Sequence, residues 1–334
     1  MHTINSNLSK KIITWYENNK RNLPWRIYSN PKKKLYYRLL SEFMLQQTQV
    51  KTVIPYFERF TSKIKTLKRL STTSERKVLK LWEGLGYYRR AKNLIKTARI
   101  IVKKNNSVLP KTLENIKKLP GIGEYTGNIL LALIYNQPRL GIDGNVKRIL
   151  SRIFFKHEKK LNFKEIIDKN KKKLFNNNRN ADLAEAIMEF GALICKPQDP
   201  TCKICPIKNN CKFFRSGKSI KFTKLNKTTK RNYNIFCYLN KKREIGLKKN
   251  STLGFLKEYN LPIIKERSNK KNLKNWNFLC NYKNSISNKK LNIDLYYKFS
   301  KKIPKGLNWF SLYRNEEFIP TFTKKIFKRV ENLY

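Results

Sequence analysis

The sequence predicts a mainly α-helical domain that ends in a cysteine loop and is followed by a small α+β domain. Three observations carry that prediction. From about Leu8 to Ile194 apolar residues recur at three- and four-residue spacing, with proline and glycine between the segments. Four of the chain's six cysteines fall within CKPQDPTCKICPIKNNC, residues 195–211. Past residue 232 the texture changes to short strand-like runs, Tyr233–Leu239, Trp276–Tyr282 and Leu291–Phe299, closed by a helical stretch at Thr323–Leu333. The expected partition is a helical domain over residues 1–215, a basic linker over 216–231 and a second domain over 232–334.

Composition bounds the function. With 40% hydrophobic and 12% aromatic residues, a chain of 334 has enough apolar material to bury a core in each of two domains. The N-terminal MHTINSNLSKK carries no apolar leader, and no run approaches the roughly 18 apolar residues of a membrane span. The expectation is a soluble, cytoplasmic protein with no membrane partner. Lys and Arg number 75 against 22 Asp and Glu, a net charge of +53, which attracts polyanions through counterion release and puts nucleic acid first among partners. Lysine and asparagine also crowd loops such as 169–173 and 176–180, so charge alone leaves a merely solvated basic surface open.

Four stretches carry chemistry. In LLSEFMLQQTQV, residues 39–50, Glu42 sits among Leu39, Leu40, Phe43, Met44 and Leu45. An apolar setting raises a carboxyl pKa and produces a general acid, whereas the exposed face of an amphipathic helix would leave Glu42 an ordinary surface charge. In LPGIGEYTGNILLALIY, residues 119–135, Gly121 and Gly123 make a tight turn before a helix, and its backbone N–H groups suit a phosphate; an ordinary helical hairpin reads the same way. In GIDGNVKRIL, residues 141–150, Asp143 is placed to cap a helix, and N–H groups at a helix start keep a carboxylate ionised. Cys195, Cys202, Cys205 and Cys211 can converge on one centre; the tight run favours a [4Fe–4S] cluster and leaves zinc open. Cys237 and Cys280 read as small buried hydrophobes.

Together SEFMLQQTQVKTVIPYFERF, LWEGLGYYRRAKNL, LPGIGEYTGNIL, GIDGNVKRIL and the cysteine loop resemble the endonuclease III, or helix-hairpin-helix, superfamily of DNA glycosylases. Within it they look like the MutY-type adenine DNA glycosylases, continuously over about residues 8–215. The resemblance implies that Glu42 protonates adenine, that Asp143 stabilises the oxocarbenium ion, and that Asn145 helps hold the attacking water. It implies that Gln47 and Tyr87 wedge into the duplex, while Arg26, Leu45, Thr48 and Glu185 contact the flipped base. Gly121 and Gly123 would lie against the DNA backbone, and the four cysteines would hold one [4Fe–4S] cluster. Tyr125 stands where lyase relatives carry an imine-forming lysine, so the resemblance implies a monofunctional glycosylase, although Lys117 and Lys118 are nearby. The implied partner is double-stranded DNA with adenine opposite 8-oxoguanine or guanine, bound by a monomer.

For the second domain the resemblance implies a divergent Nudix-like fold that reads the lesion. YKNSISNKKLNIDLYY aligns with a Phe-Ser-His recognition loop of the family, giving Ile286, Ser287 and Asn288, of which only the serine matches. No glycine-anchored REXXEE run is present in this domain, which argues against pyrophosphohydrolase activity. Two other readings stand beside this one. A bifunctional glycosylase and lyase for oxidised pyrimidines is opposed by Tyr125 and by the second domain. A catalytically decayed DNA-binding protein is opposed by intact Glu42 and Asp143.

Overall fold

The computed structural model describes residues 7–154, 162–175, 178–217, 229–251, 253–267, 273, 275–286, 289–313 and 318–334. Contacts divide the chain into two compact units, Met1–Thr223 and Lys224–Tyr334. The first is helical: α1 Asn7–Asn19, α2 Pro31–Leu45, α3 Val50–Lys63, α4 Leu67–Thr72, α5 Glu75–Leu81, α6 Arg89–Lys104, α7 Leu113–Lys117, α8 Glu124–Tyr135, α9 Gly144–Phe154, α10 Phe163–Lys169, α11 Lys171–Leu174, α12 Asn180–Leu193 and α13 Lys212–Arg215.

Local chemistry sets most of these boundaries. Proline opens α2, where a missing N–H costs nothing, and the Asn30 side chain accepts from the Lys33 N–H at 2.9 Å. Thr66, Ser74 and Thr112 cap α4, α5 and α7 in the same way. Asn136, in the left-handed region at φ 53°, ends α8. The apolar faces so defined close two cores. One gathers Leu39, Leu40, Phe43, Phe57, Phe60, Trp82 and Leu94. The other draws Ile12, Tyr16, Ile129, Leu133, Ile149, Leu183 and Phe190 from α1, α8, α9 and α12. Helix α2 packs on both α3 and α8.

Between α7 and α8 runs the turn of residues 118–123. Gly121 has φ +83°, and a Cβ there would lie 2.8 Å from both Asn93 Cβ and Phe43 Cε1. Its glycine is therefore fixed from inside the fold. Gly123 differs, because its φ is −92° and a Cβ would meet nothing within 4 Å.

The second unit is the α+β half of the prediction. Its sheet runs in the order β3–β2–β1–β6–β5, from β1 Thr229–Leu239, β2 Glu244–Lys249, β3 Asn260–Leu261, β5 Asn277–Ile286 and β6 Lys289–Phe299. Strands β4 Ile263–Glu266 and β7 Asn308–Ser311 pair with β1 and β2. Strands β1 and β6 pair in parallel, and the other pairings are antiparallel. Alternate residues Tyr233, Ile235, Cys237 and Leu239, with Leu291, Ile293 and Leu295, turn one face toward Phe322, Ile326, Phe327 and Val330 of α14, Thr321–Val330. Cys237 is a fully buried member of that core. Three short strands, β3, β4 and β7, and the six-residue β2 escaped the sequence reading, and β1 begins at Thr229, inside the segment expected to be linker. Among the described residues no helix is long and apolar enough to cross a membrane.

The two glycines of the turn make a paired prediction. Gly121→Ala is expected to destabilise the chain by about 1–3 kcal/mol, since it forces both φ and a side-chain overlap. Gly123→Ala should cost under about 1 kcal/mol, the loss of a permissive N-cap. Urea unfolding of both variants measures the difference.

Candidate active site

Glu42 is in the last turn of α2 and is 8% exposed, so the exposed-face alternative is excluded. Among the described residues no side chain pairs with its carboxyl. Burial raises its pKa to about 7; Arg38 opposes that rise, and Glu185 and Asp143 reinforce it. Asp143 lies in the turn before α9. Its Oδ1 accepts from the Val146 N–H at 2.8 Å and its Oδ2 from Asn145 Nδ2 at 3.1 Å, which is the expected cap. Burial nevertheless outweighs those bonds and moves the Asp143 pKa upward, where the sequence reading expected the helix start to dominate. Tyr125, in the first turn of α8, feels both carboxylates, and its hydroxyl reaches Met188 Sδ at 3.5 Å. Glu42, Asp143 and Tyr125 thus form one electrostatically connected group from three separate elements.

Asn145 is held from both sides. Its Oδ1 accepts from Arg148 Nη2 at 2.7 Å, and a Cβ on Gly191 would come 2.7 Å from Asn145 Cβ, so α12 needs a glycine to let it fit. Arg148 also donates through Nε to the Cys195 carbonyl at 2.8 Å and through Nη2 to the Gly191 carbonyl at 2.8 Å. A continuous run of hydrogen bonds therefore joins Asp143 to the start of the cysteine loop.

On the other side of Glu42 is an ionic network that the sequence reading saw only in part. Glu185 on α12 accepts from Tyr16 Oη at 2.8 Å, from Arg26 Nε at 3.0 Å and from Arg38 Nη1. Glu189, one turn later, binds Arg21 through its backbone N–H and guanidinium and takes Arg26 Nη2 at 3.1 Å. Burial alone would raise Glu185; Arg38 and Arg26, joined by the hydrogen bonds from Arg38 and Tyr16, bring it below the ordinary carboxylate range. Arg26 and Glu185 were expected here, but Tyr16, Arg21, Arg38 and Glu189 were not. The available signal was LAEAIMEFG, where two carboxylates four apart on an otherwise apolar helix must be paired if buried.

Leu45 and Thr48 flank the end of α2, with the Thr48 N–H on the Leu45 carbonyl at 3.1 Å. Gln46 Nε2 crosses to the Gly121 carbonyl at 3.2 Å and ties this end to the hairpin turn. Gln47 is exposed and Tyr87 is 41% exposed, and both are non-glycine residues at positive φ, +58° and +48°. A single buried side chain, Arg90, joins their loops. Its Nη1 donates to the carbonyls of Phe43, Met44 and Gln46, and its Nη2 to those of Leu85 and Gly86. Its guanidinium lies 5.5 Å from the Trp82 ring centre and 5.2 Å from that of Tyr87, and burial lowers its pKa to about 10. Arg90 was missed because an arginine in GLGYYRRAKNL reads as a surface charge.

Cys195, Cys202, Cys205 and Cys211 border one cavity with Ile149, Ile194 and Phe213. Arg152 Nη1 approaches Cys195 Sγ at 3.3 Å and donates to the Lys196 carbonyl, and Nη2 donates to the Pro197 carbonyl at 2.9 Å. Among the described residues no three His, Cys, Asp or Glu side chains close on a point the size of one metal ion. Burial pushes the Cys205 thiol up to about 12 and also raises Cys202 and Cys211, with the neighbouring thiols adding to it. Of the remaining expected residue, Ser287, the position lies outside the described residues, as does Asn288; Ile286 ends β5.

Two predictions follow from this geometry. In the folded chain Glu42 keeps its proton up to about pH 7, against 4.5 for a free carboxyl. Its contribution to stability is full below pH 4.5 and is lost as pH rises through about 7. Glu42→Gln, which cannot ionise, should therefore melt progressively higher than the native chain from pH 5 to 7, with a constant advantage above pH 8. The upper bound is about 3 kcal/mol, and thermal unfolding against pH measures it. Arg90→Met should lose roughly 3 kcal/mol, because five carbonyls lose a donor, and should speed amide exchange in residues 46–48 and 86–88 together.

The family described as HhH-GPD superfamily base excision DNA repair protein matches residues 40–176. The structure of a thermostable thymine-DNA glycosylase has a TM-score of 0.54 and 25% identity, covering 63% of this chain and 95% of its own. A non-covalent endonuclease III–DNA complex, with a TM-score of 0.50 and 20% identity over 63% of this chain and 94% of its own, shares the fold. The adenine DNA glycosylase of Buchnera aphidicola subsp. Baizongia pistaciae (strain Bp) is 34% identical over 347 residues, covering 96% of this chain and 95% of that protein. With that agreement along nearly its whole length, the chain belongs to the adenine DNA glycosylase family of base excision repair enzymes.

Proposed function

We propose that this chain, as a monomer, removes adenine opposite 8-oxoguanine or guanine in double-stranded DNA, by hydrolysis and without cutting the strand. The observation that carries the proposal is a buried Glu42 with no ionic partner, electrostatically linked to Asp143 and Tyr125. A protonated carboxyl in that setting is a general acid at neutral pH. Base removal begins with the adenine leaving the stack, at a cost of a few kcal/mol. Gln47 and Tyr87, on exposed tips tied to each other by Arg90, fill the space it leaves, and Arg26, Leu45, Thr48 and Glu185 line the position it enters. Glu42 gives its proton to the base as the C1′–N9 bond breaks and its electron pair stays with the adenine. The Asp143 carboxylate stabilises the resulting oxocarbenium ion. Water positioned by Asn145 then bonds to C1′, and its proton returns to a carboxylate. Tyr125 has no amine to form an imine, so the reaction stops at an abasic site.

Gly123 supports backbone contact by the hairpin: nothing inside the protein requires a glycine there, so the open space above it suits the close approach of a phosphate. The four cysteines fit a [4Fe–4S] cluster, since they border one cavity and do not close on a single-ion point. Cys195, Cys202, Cys205 and Cys211 would hold the cluster as thiolates, and when bound it would supply a fixed cross-link among them. Arg152, Arg148 and the loop backbone then hold Lys196 and Lys203 in a constant position toward phosphates. The helical domain of residues 1–215 does the chemistry; residues 232–334 form a Nudix-like domain that reads the opposite base, with Ser287 in the recognition loop.

The test is a duplex holding one adenine opposite 8-oxoguanine, incubated with the holoprotein and resolved with and without hot alkali. Strand breakage only after alkali is expected, with Glu42→Gln inactive. Breakage without alkali would make the chain a lyase, and an intact duplex that the protein still binds would make it a non-catalytic binder.

A further inference from the structure

Arg38 lies one helical turn before Glu42 on α2, and both side chains are buried. A guanidinium four residues from a carboxylate on one helix face is placed to pair with it, and in a dry site that pairing would strip the carboxyl of its proton. Arg38 is instead bound by Glu185. Its Nη1 donates to Glu185 Oε1 on α12, its guanidinium lies 5.7 Å from the Tyr28 ring centre, and its buried Nε has no partner. The groups that face Glu42 are few: Arg38 from its own helix, Glu185 from α12, Asp143 from the turn before α9 and Tyr125 from α8. Arg90 of α6 is committed to the carbonyls of Phe43 and Met44 beside it. Arg38 is thus the cation that could ionise Glu42, and Glu185 is the group that occupies it.

Taking Glu42 as the proton donor, as in the reading above, we infer that Glu185 is a positioning residue that captures Arg38 and so keeps Glu42 protonated at neutral pH. This role is separate from any contact between Glu185 and the base. Glu185 is suited to it because Arg26 and Tyr16 also donate to it, which holds its carboxylate ionised and fixed. A neutral side chain at 185 leaves Arg38 uncompensated in a buried site, where its remaining carboxylate neighbour is Glu42.

The experiment is the pH dependence, from 5.5 to 9, of single-turnover base excision by the cluster-loaded enzyme in excess over a duplex with adenine opposite 8-oxoguanine. For the native chain the rate should fall along an alkaline limb set by Glu42. Glu185→Gln is expected to move the midpoint of that limb at least one unit toward acid, about a tenfold loss at pH 8 relative to its own plateau at low pH, and the midpoint rather than the plateau height is the readout because Glu185 also lines the base position. Combining Arg38→Met with Glu185→Gln removes both charges and should return the midpoint to within about half a unit of native. A Glu185→Gln enzyme slowed equally at every pH would overturn the inference, as would a double variant that keeps the shift of the single one. Should Glu185→Gln fail to fold, Arg38→Met alone must move the midpoint toward alkali, and an unmoved midpoint sinks the idea. If Glu42→Gln excises adenine, the proton-donor reading itself falls, whatever Glu185 does.

Discussion

Burying a carboxyl group without a counter-ion is the constraint on which the helical unit depends. Transfer of a lone charge into a packed interior is expensive enough that the group gives up its charge instead, and Glu42 is in that position. Keeping it so requires that every nearby cation be engaged elsewhere. The surrounding architecture does this: Arg26 and Arg38 are bound by Glu185, Arg21 by Glu189, and Arg90 and Arg148 by backbone carbonyls. A strongly basic chain thus contains one small volume in which positive charge is withheld from a carboxyl.

Buried arginines also do work usually left to regular structure. The end of α2, the loop of residues 84–88 and the start of the cysteine loop are irregular stretches with carbonyls to satisfy. Arg90, Arg148 and Arg152 reach across and satisfy several each, because a guanidinium presents donors in a rigid fork. The functional loops are thereby held to the helical frame without strands or disulfides.

Legibility in the sequence followed the range of the physics. Helix periodicity and capping residues are local, so the helical domain and the cap at Asp143 could be read directly, and the long alternating runs of β1, β5 and β6 were visible. Strands β3, β4 and β7 are two to four residues long and exist only through their partners, so no local pattern announces them. The apolar neighbours of Glu42 pointed to its burial. The partners of Glu185 are Tyr16, Arg26 and Arg38, more than a hundred residues away in each case, and such pairing leaves no trace at either end. Asp143 shows the limit from the other side: the capping bonds were legible, but the depth of the site, which reverses their effect, was not.

The left-handed backbone at Gln47 and Tyr87 has a consequence for timing. Neither residue favours that conformation, and each costs of order 1 kcal/mol or more to hold there. Arg90 holds both within a single hydrogen-bonded unit, so the cost is met once, when the chain folds. Little backbone entropy then remains to be lost at an encounter, because both tips already have their shape before a partner arrives.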